Sequence, residues 1–599
     1  MEPTNIRDPE YFHKVVDCQY ACPAHTPVPE YIRLIAQERY SEAYMINWES
    51  NVFPGVLGRT CDRPCEPACR RGRLEQEPVA ICRLKRVAAD HKGEVRQHMP
   101  RGPFPSNGKR IALVGGGPAS LTVARDLAPL GYEIHLFDEQ ELGGGFMRSQ
   151  IPAFRLPESV LNEEVGYILD LGIHTHFKHY VPSLKDLLDS GAYDAIFVGT
   201  GAPKGRDLPD LPGRTEGAAH IHIGINWLAG VAFEHTHSIG RRVSVLGGGN
   251  TAMDCCRTAR RLGGSEVKVI VRSPFSEMKA SPWEKEDAQH EDIPIIDNHV
   301  PKSFVVEEGV LKGMTFEKVR VERENGRRKL VPTGEPDVFY PADDVLVAIG
   351  QENSFPWIER GIGLDFDEWD MPVVDPVTFA STHPRVFFGG DAAFGPKNVI
   401  TAVAHGHQAA ISIDLLCQGK ALSERPAPFV NLVSQKMGLH EWAYDSEVVT
   451  DLRYTVPLAE KEKALSSRKL EVELGFSPLQ GYKEAQRCLN CDVQTVFHDE
   501  KCIECDACMD ICPTSCITFT QNEEEDALRS LLRAPAHNRT QDLYVSGPLK
   551  TKNVMIKDEN VCLHCGLCAE RCPTAAWDMQ KFYYQVTKAG KGTCSSNPR

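Results

Sequence analysis

The 599-residue chain has no run of about 18 uninterrupted apolar residues, so a membrane-spanning helix is excluded by length alone. Its first residues, MEPTNIRDPEYF, have no apolar core of the kind a secretory signal needs, and the expected location is the cytoplasm. No tail carries the charge: the net −15 is spread along the sequence, which argues against a nucleic-acid surface. Low-complexity tracts are absent, and so is any constellation of carboxylates and histidines suited to acid–base work. Cysteine is missing from most of the middle. Between Cys82 and Cys488 only Cys255, Cys256 and Cys417 occur, whereas all the others crowd into 18–82 and 488–594. With 21 cysteines and no export signal, disulfides are not the expectation, and metal ligation is.

A chain this long exceeds one core and suggests about four domains. Residues 1–105 carry the first cysteines among short helical stretches, Pro29–Glu49 and Val79–Asp90. From Lys109 to about Leu416, β-rich runs alternate with helical patterns, as in parallel α/β units. Residues 421–487 read as a polar linker, and 488–599 as a turn-rich, cysteine-dominated domain.

Within the α/β region Lys109–Val114 reads as a buried strand running into Gly115-Gly116-Gly117-Pro118-Ala119-Ser120, with a helix to Leu130. A strand, a glycine turn and a helix N-terminus make a pyrophosphate site, because the glycines admit the phosphates and the helix dipole favours their charge. The next strand, Glu133–Phe137, ends in Asp138, placed for a ribose hydroxyl. Ser120 stands where the third glycine of the fingerprint belongs. The pattern recurs: Arg242–Leu246, then Gly247-Gly248-Gly249-Asn250-Thr251-Ala252, then a helix and the strand Val267–Val271. Two fingerprints imply two dinucleotides, and redox chemistry pairs a flavin with a nicotinamide.

These stretches, together with Gly143-Gly144-Gly145, IPAFRLP at Ile151–Pro157, Thr200-Gly201-Ala202, GGGNTAMD at Gly247–Asp254 and Gly389-Gly390-Asp391, resemble the small subunit of NADPH-dependent glutamate synthase and its relatives. The resemblance covers about 18–420. It implies an α/β flavoprotein with two dinucleotide-binding domains and an N-terminal helical iron–sulfur domain, to which the C-terminal cysteine runs add an α+β ferredoxin-like domain outside the resemblance. FAD would occupy 106–225 and 340–420, through Gly115, Gly117, Ser120, Asp138, Gly144, Gly201, Asp391 and Thr401. NAD(H) or NADP(H) would occupy 226–339, through Gly247, Gly249, Asn250, Thr251 and Arg272. Asp391 would meet the ribityl chain, and Val399–His407 would begin a helix whose N-terminus faces the flavin ring. NADP-using relatives carry several arginines after the second strand. Here only Arg272 remains, with no acidic residue to favour NAD, and the reading leans to NAD(H). No Cys-x2-Cys stands beside the FAD turn, so a disulfide-reductase mechanism lacks its redox pair.

The far cysteines form two copies of the bacterial ferredoxin run, C-x2-C-x2-C-x3-C-P, in which the fourth thiolate serves the other cluster. Cys502, Cys505, Cys508 and Cys572 are expected on one [4Fe–4S] cluster, and Cys562, Cys565, Cys568 and Cys512 on another. In glutamate synthase relatives an N-terminal run, RC-x2-C-x4-C-x3-CP, holds a cluster. Here only its second half, Cys18-x3-Cys22-Pro23, is N-terminal, while the first half appears as Arg487-Cys488-Leu489-Asn490-Cys491. A cluster on Cys18, Cys22, Cys488 and Cys491 is expected, with free thiol pairs or a zinc half-site as the alternative. A further cluster would use Cys61, Cys65, Cys69 and Cys82. Relatives carry Gln or Glu where Lys85 stands, and Cys82, one turn earlier, would substitute; the alternative is a buried free thiol. Four clusters leave Cys255, Cys256, Cys417, Cys516 and Cys594 over. The histidines at 220, 222, 235 and 237 read as surface residues.

The resemblance implies an FAD-dependent oxidoreductase passing electrons between nicotinamide and iron–sulfur clusters. Three settings compete. One is the NAD(P)-reducing subunit of a larger complex, such as a 2-oxoacid:acceptor oxidoreductase. The second is a glutamate synthase small subunit, and the third a bridging subunit without nicotinamide chemistry. Partners would be other subunits of the complex or soluble ferredoxin.

Overall fold

The computed structural model describes residues 1–75, 77–324, 327–434, 451–532 and 543–590. Its centre is a five-stranded parallel sheet in the order Val386–Phe388, Ala195–Val198, Arg110–Val114, Glu133–Phe137, His174–His176. The three inner strands read RIALV, AIFV and EIHLF; apolar residues of RIALV and AIFV fall on both faces, as a sheet covered on both sides requires. Two helices cover one face, Pro118–Leu127 and Val399–Cys417, whose alanines and branched residues share a single core. They cross at Gly406, where a Cβ would stand 2.6 Å from Ala119 O.

A second parallel sheet runs Ile221–Ile223, Asp344–Val347, Arg242–Leu246, Glu266–Ile270, Ile295–Ile296. An antiparallel layer, His299–Glu307, Val310–Glu324, Arg327–Pro332 and Val338–Pro341, packs beside it. The short strands Lys204–Gly205 and Gln351–Glu352 pair where the chain enters and leaves this inserted unit. The expected limits 226–339 therefore cut through the sheet: two of its strands, Ile221–Ile223 and Asp344–Val347, lie outside them. Their apolar runs are too short for periodicity to say which sheet they join.

The two ends of the chain fold together. Val28–Ala36 and Ile81–His91 pack with Pro478–Ala485, and one apolar core takes in Tyr31, Ile35, Leu84, Phe476, Val493, Trp577 and Phe582. The expected helix 29–49 is two, Val28–Ala36 and Tyr40–Asn51, broken where Glu38 adopts φ +59°. Two antiparallel sheets complete the C-terminal region, Phe429–Ser434/Trp577–Gln585/Val493–Phe497 and Ile517–Thr520/Val554–Lys557/Tyr544–Val545.

The expected linker 421–487 is instead a strap. Phe429–Ser434 is an edge strand, and residues 451–487 run across the other three regions. Arg59 and Arg86 bind Glu471 at 2.7 and 3.0 Å, Val472 N–H donates to Phe154 O at 3.0 Å, and Arg468 binds Glu234 at 3.0 Å. The polar run conceals this, because Glu471 and Glu473 are half-buried against arginines of the N-terminal region while Glu460, Glu462 and Lys463 stay in water.

Candidate redox site

The first cradle lies between Arg110–Val114 and the helix Pro118–Leu127. Gly115 adopts φ +95°, and a Cβ there would stand 2.7 Å from Gly199 O, so neither conformation nor space admits another residue. Gly117 precedes the helix with no side-chain cap, which leaves the first-turn N–H groups to an anion. Asp138 accepts from Gly116 N–H at 2.5 Å and from Gln140 N–H at 2.7 Å, and burial raises its carboxyl above the usual range. Gly144 N–H donates to Gly116 O at 2.8 Å. Gly145, at φ +52°, brings its Cβ position within 2.8 Å of Gly117 Cα, so this second glycine loop closes on the first. Gly201, at φ +70°, follows the strand Ala195–Val198. The hydroxyls of Ser120 and Thr200 are buried with no hydrogen-bond partner, and orphaned hydroxyls along a glycine-lined turn fit a polar ligand such as FAD. Asp391 opens a short helix and accepts from Lys397 N–H at 2.9 Å. Thr401 gives both its N–H and its hydroxyl to Asn398, at 3.0 and 2.7 Å, capping the helix Val399–Cys417.

The second cradle repeats the first. Gly247 adopts φ +137°, with its Cβ position 2.1 Å from Ala348 O, and Gly249 precedes the helix Asn250–Arg261 without a side-chain cap. Asn250 accepts from Ser281 N–H at 2.8 Å, and its amide reaches Asp62 at 3.5 Å. Thr251 sits half-buried in the first turn, and Arg272 is exposed beyond Glu266–Ile270, with no ion pair among the described residues. Asp254 of the GGGNTAMD stretch holds Arg155 of IPAFRLP at 2.6 and 2.8 Å, so these two motifs bolt the nucleotide units together.

The N-terminal cysteines gather in two sets, and the sets differ from the expectation by one exchange. Cys18, Cys69, Cys488 and Cys491 line one cavity with Asp17, Arg70 and Ile81. Cys22 lies instead with Cys61, Cys82 and Ile400 in one buried apolar cluster, with Cys65 beside Cys61 and Cys22. The reason is local. The helix Asp17–Tyr20 ends between Cys18 and Cys22, and Cys65–Ala68 ends just before Cys69, so each pair diverges. Spacing fixes which cysteines are ligand candidates but not the side on which each leaves its turn. The C-terminal half-motif is clamped by Arg33, which binds Asp492 at 2.8 and 2.5 Å and Asn490 at 3.2 Å. Burial pushes Cys61 and Cys488 up to about 12, so neither is a thiolate at neutral pH without a metal's charge. Sets of four convergent thiols fit [4Fe–4S] clusters in their chemistry.

In the C-terminal region Cys502 neighbours Cys505 and Cys572, and Cys508 neighbours Cys502 and Cys572. Cys565 neighbours Cys562 and Cys512. Left-handed residues turn these loops: Glu504 and Asp506 in one, His564 and Gly566 in the other. Cys516, left over in the sequence, is buried with its Sγ 3.5 Å from Cys512 Sγ; its spacing to Cys512 gave no signal. Arg70 joins the two iron–sulfur regions. Fully buried, it binds Asp17 at 2.8 Å and donates to the carbonyls of Glu559 and Cys562 at 2.5 Å each. Cys255 and Cys256 are core residues of the helix Asn250–Arg261, and His220 and His222 face Asp344 at 3.3 Å. Cys594 lies outside the described residues.

Two dinucleotide cradles wired to two cysteine-lined regions define an iron–sulfur flavoprotein oxidoreductase. Family models agree along the chain: pyridine nucleotide-disulphide oxidoreductase over residues 109–406, dihydropyrimidine dehydrogenase domain II with its 4Fe-4S cluster over 13–97, and the 4Fe-4S dicluster domain over 501–576. The beta subunit of the NADP(+)-dependent formate dehydrogenase of Moorella thermoacetica is 34% identical, across 79% of this chain and 70% of that one. The beta subunit of the NADPH-Fe(3+) oxidoreductase of Geobacter sulfurreducens is 30% identical, across 82% and 77%. The glutamate synthase [NADPH] small chain of Azospirillum brasilense is 30% identical, across 67% and 87%. The chain belongs to this family of iron–sulfur flavoprotein oxidoreductase subunits. Among the described residues no helix is long and apolar enough to cross a membrane.

Proposed function

We propose that the chain carries one line of redox centres from a nicotinamide to a surface cluster. The order is NADP(H) at Gly247, Gly249, Asn250, Thr251 and Arg272, then FAD at the first cradle. Next come a cluster on Cys22, Cys61, Cys65 and Cys82, and one on Cys18, Cys69, Cys488 and Cys491. The last two are held by Cys512, Cys562, Cys565 and Cys568, and by Cys502, Cys505, Cys508 and Cys572. One observation carries this order. Val399 and Ile400, at the N-terminus of the helix that begins beside the first cradle, pack directly on Cys22, Cys61 and Cys82. Arg70 then spans from the cavity of Cys18 to the backbone of Cys562.

When bound, FAD converts a two-electron hydride into single electrons, and the protein supplies distance, order and potential. The relatives named for NADP(+) or NADPH support NADP(H) over the NAD(H) that the lone arginine suggested, with Arg272 as the cation for a 2′-phosphate. Those relatives are subunits, which supports a role as the nicotinamide-linked subunit of a complex whose partner exchanges electrons at the exposed Cys505 and Cys565. The 2-oxoacid:acceptor setting rests on no residue of the chain; formate dehydrogenase, Fe(3+) reductase and glutamate synthase are the settings the relatives' names supply. Iron, sulfide and flavin analysis of the anaerobic protein tests the line, followed by stopped-flow reduction with NADPH and with NADH. The expected result is roughly 16 irons per chain, one FAD and faster bleaching by NADPH. Fewer than three clusters' worth of iron in fully loaded protein would sink it.

A further inference from the structure

Lys85 is buried and unmatched. Its residue is 5% exposed, its Nζ donates to Asn51 Oδ1 at 3.1 Å, and among the described residues no carboxylate lies within ion-pair distance of it. The thiols of Cys22, Cys61, Cys65 and Cys82 stand around it. A buried ammonium without a counter-ion costs several kcal/mol in folding and is rare unless paired. Here the partner must be the four-cysteine site itself, since a [4Fe–4S] cube on four thiolates carries two negative charges oxidised and three reduced. The lysine is also held in place. Asn51 Nδ2 donates to Thr26 Oγ1 at 2.7 Å, Ser50 donates to the same oxygen at 3.1 Å, and Thr26 Oγ1 lies 3.5 Å from Cys22 Sγ. A polar chain thus runs from one cysteine of the site through Thr26 and Asn51 to the ammonium.

We infer that Lys85 is the positioning cation of the flavin-proximal cluster: it holds the extra negative charge that arrives with each electron and makes this site the favourable first stop. The inference rests on the proposed cluster at Cys22, Cys61, Cys65 and Cys82. The step is a one-electron reduction of the cube, with the electron supplied by reduced flavin and no proton or bond exchanged. A fixed positive charge beside the cube favours the more negative, reduced form.

The experiment uses the anaerobic full-length holoprotein and EPR-monitored redox titration. The Cys61→Ser variant identifies the signal of this cluster by its loss. Lys85→Met is expected to keep its iron and to lower the reduced-to-oxidised ratio of that signal about tenfold at fixed poise. That is about 59 mV for a one-electron couple, with the other three signals unmoved. Lys85→Arg should restore most of the ratio. Asn51→Asp, which gives the ammonium a carboxylate partner, should shift the ratio in the same direction as Lys85→Met while retaining the lysine. A Lys85→Met protein with full iron and an unmoved ratio would overturn the inference. If Lys85→Met fails to hold the cluster, an unmoved ratio in Asn51→Asp overturns it equally. Should Cys61→Ser remove neither iron nor signal, the underlying cluster reading fails instead, and that outcome is separately visible.

Discussion

The two iron–sulfur regions solve the same chemical task by opposite routes. At the C-terminal end each set is nearly contiguous: three cysteines within seven residues, carried on loops bent by left-handed residues, with Cys505 and Cys565 exposed. At the N-terminal end one set joins Cys18 to Cys488 and Cys491, and the cysteines lie inside a helical hub, with Cys18, Cys22, Cys61, Cys65 and Cys82 all buried. The local design tolerates solvent and faces outward. The non-local design joins the two chain ends, and the second hub set is buried against the helix Val399–Cys417. A relay from flavin to partner needs both.

The exchange of Cys22 and Cys69 is the sharpest break point, because whole clusters are lost or kept. In the observed grouping Cys69→Ser and Cys488→Ser damage the same site, so the double variant should lose no more than about four irons, one cube's worth. Cys22→Ser with Cys488→Ser strikes two sites and should lose about eight. Iron analysis with EPR spin counting reads this directly. The reverse pattern would restore the grouping that spacing alone suggested.

That exchange also marks where the sequence stopped being legible. The glycine turns, the Asp138 position and the ferredoxin runs are set by neighbours a few residues away, and strand, helix and φ requirements write them into the local sequence. The pairing of Cys488 and Cys491 with the N-terminus could be read because a known half-motif was missing from its usual place. Which thiols share a cavity depends on where the short helices Asp17–Tyr20 and Cys65–Ala68 stop, and tertiary packing decides that. The strap 451–487 was illegible for the same reason. Its glutamates answer Arg59, Arg83 and Arg86, nearly 400 residues away, and a local window sees only a polar run. Lys85 was visible as a departure, but only its burial gave it a role.

Arg70 is the joint between the two designs, and its removal should be the largest stability effect of a single substitution. Arg70→Met strips the carbonyls of Val15, Glu559 and Cys562 of this donor and leaves Asp17 only its bond from Arg73 at 2.6 Å. Breaking such a buried set costs about 3–5 kcal/mol. Thermal unfolding and limited proteolysis should show the C-terminal region released ahead of the nucleotide domains. An unchanged melting profile would mean that the shared apolar core, not this guanidinium, couples the regions.

Glu164 separates the regions by pH, since it acts only at the N-terminal one. It accepts from Gly55 N–H at 2.6 Å, Val56 N–H at 2.9 Å and the Tyr44 hydroxyl at 2.8 Å, holding the start of the helix Pro54–Thr60 that leads into Cys61. Burial outweighs those donors and pushes its carboxyl up to about 7, from an unfolded value of 4.5. The folded state thus keeps a proton that the unfolded state gives up. Its contribution is full below about pH 4.5 and is lost as pH rises through about 7, roughly 3 kcal/mol across the window. Glu164→Gln keeps an acceptor and removes the titration, so its stability should be flatter over that range than the wild type's. Parallel curves of Tm against pH would show that Glu164 titrates normally.

The smallest expected effect tests whether burial, rather than ligand chemistry, distinguishes the two designs. All four proposed sites are built from cysteine, so intrinsic iron affinity should be similar, and access should control the rate of loss. With an iron chelator and mild oxidant, the sites carrying the exposed Cys505 and Cys565 should lose iron about tenfold faster than those in the helical hub, equivalent to about 1.4 kcal/mol in barrier. EPR of samples quenched over time assigns each loss. The Arg70→Met protein provides the control: opening the joint exposes the cavity of Cys18 and Cys69, and the rate at that site should rise toward the C-terminal one. If all four sites release iron together in both proteins, the hub is no drier than the loops, and the division of labour between a shielded relay and an outward face falls.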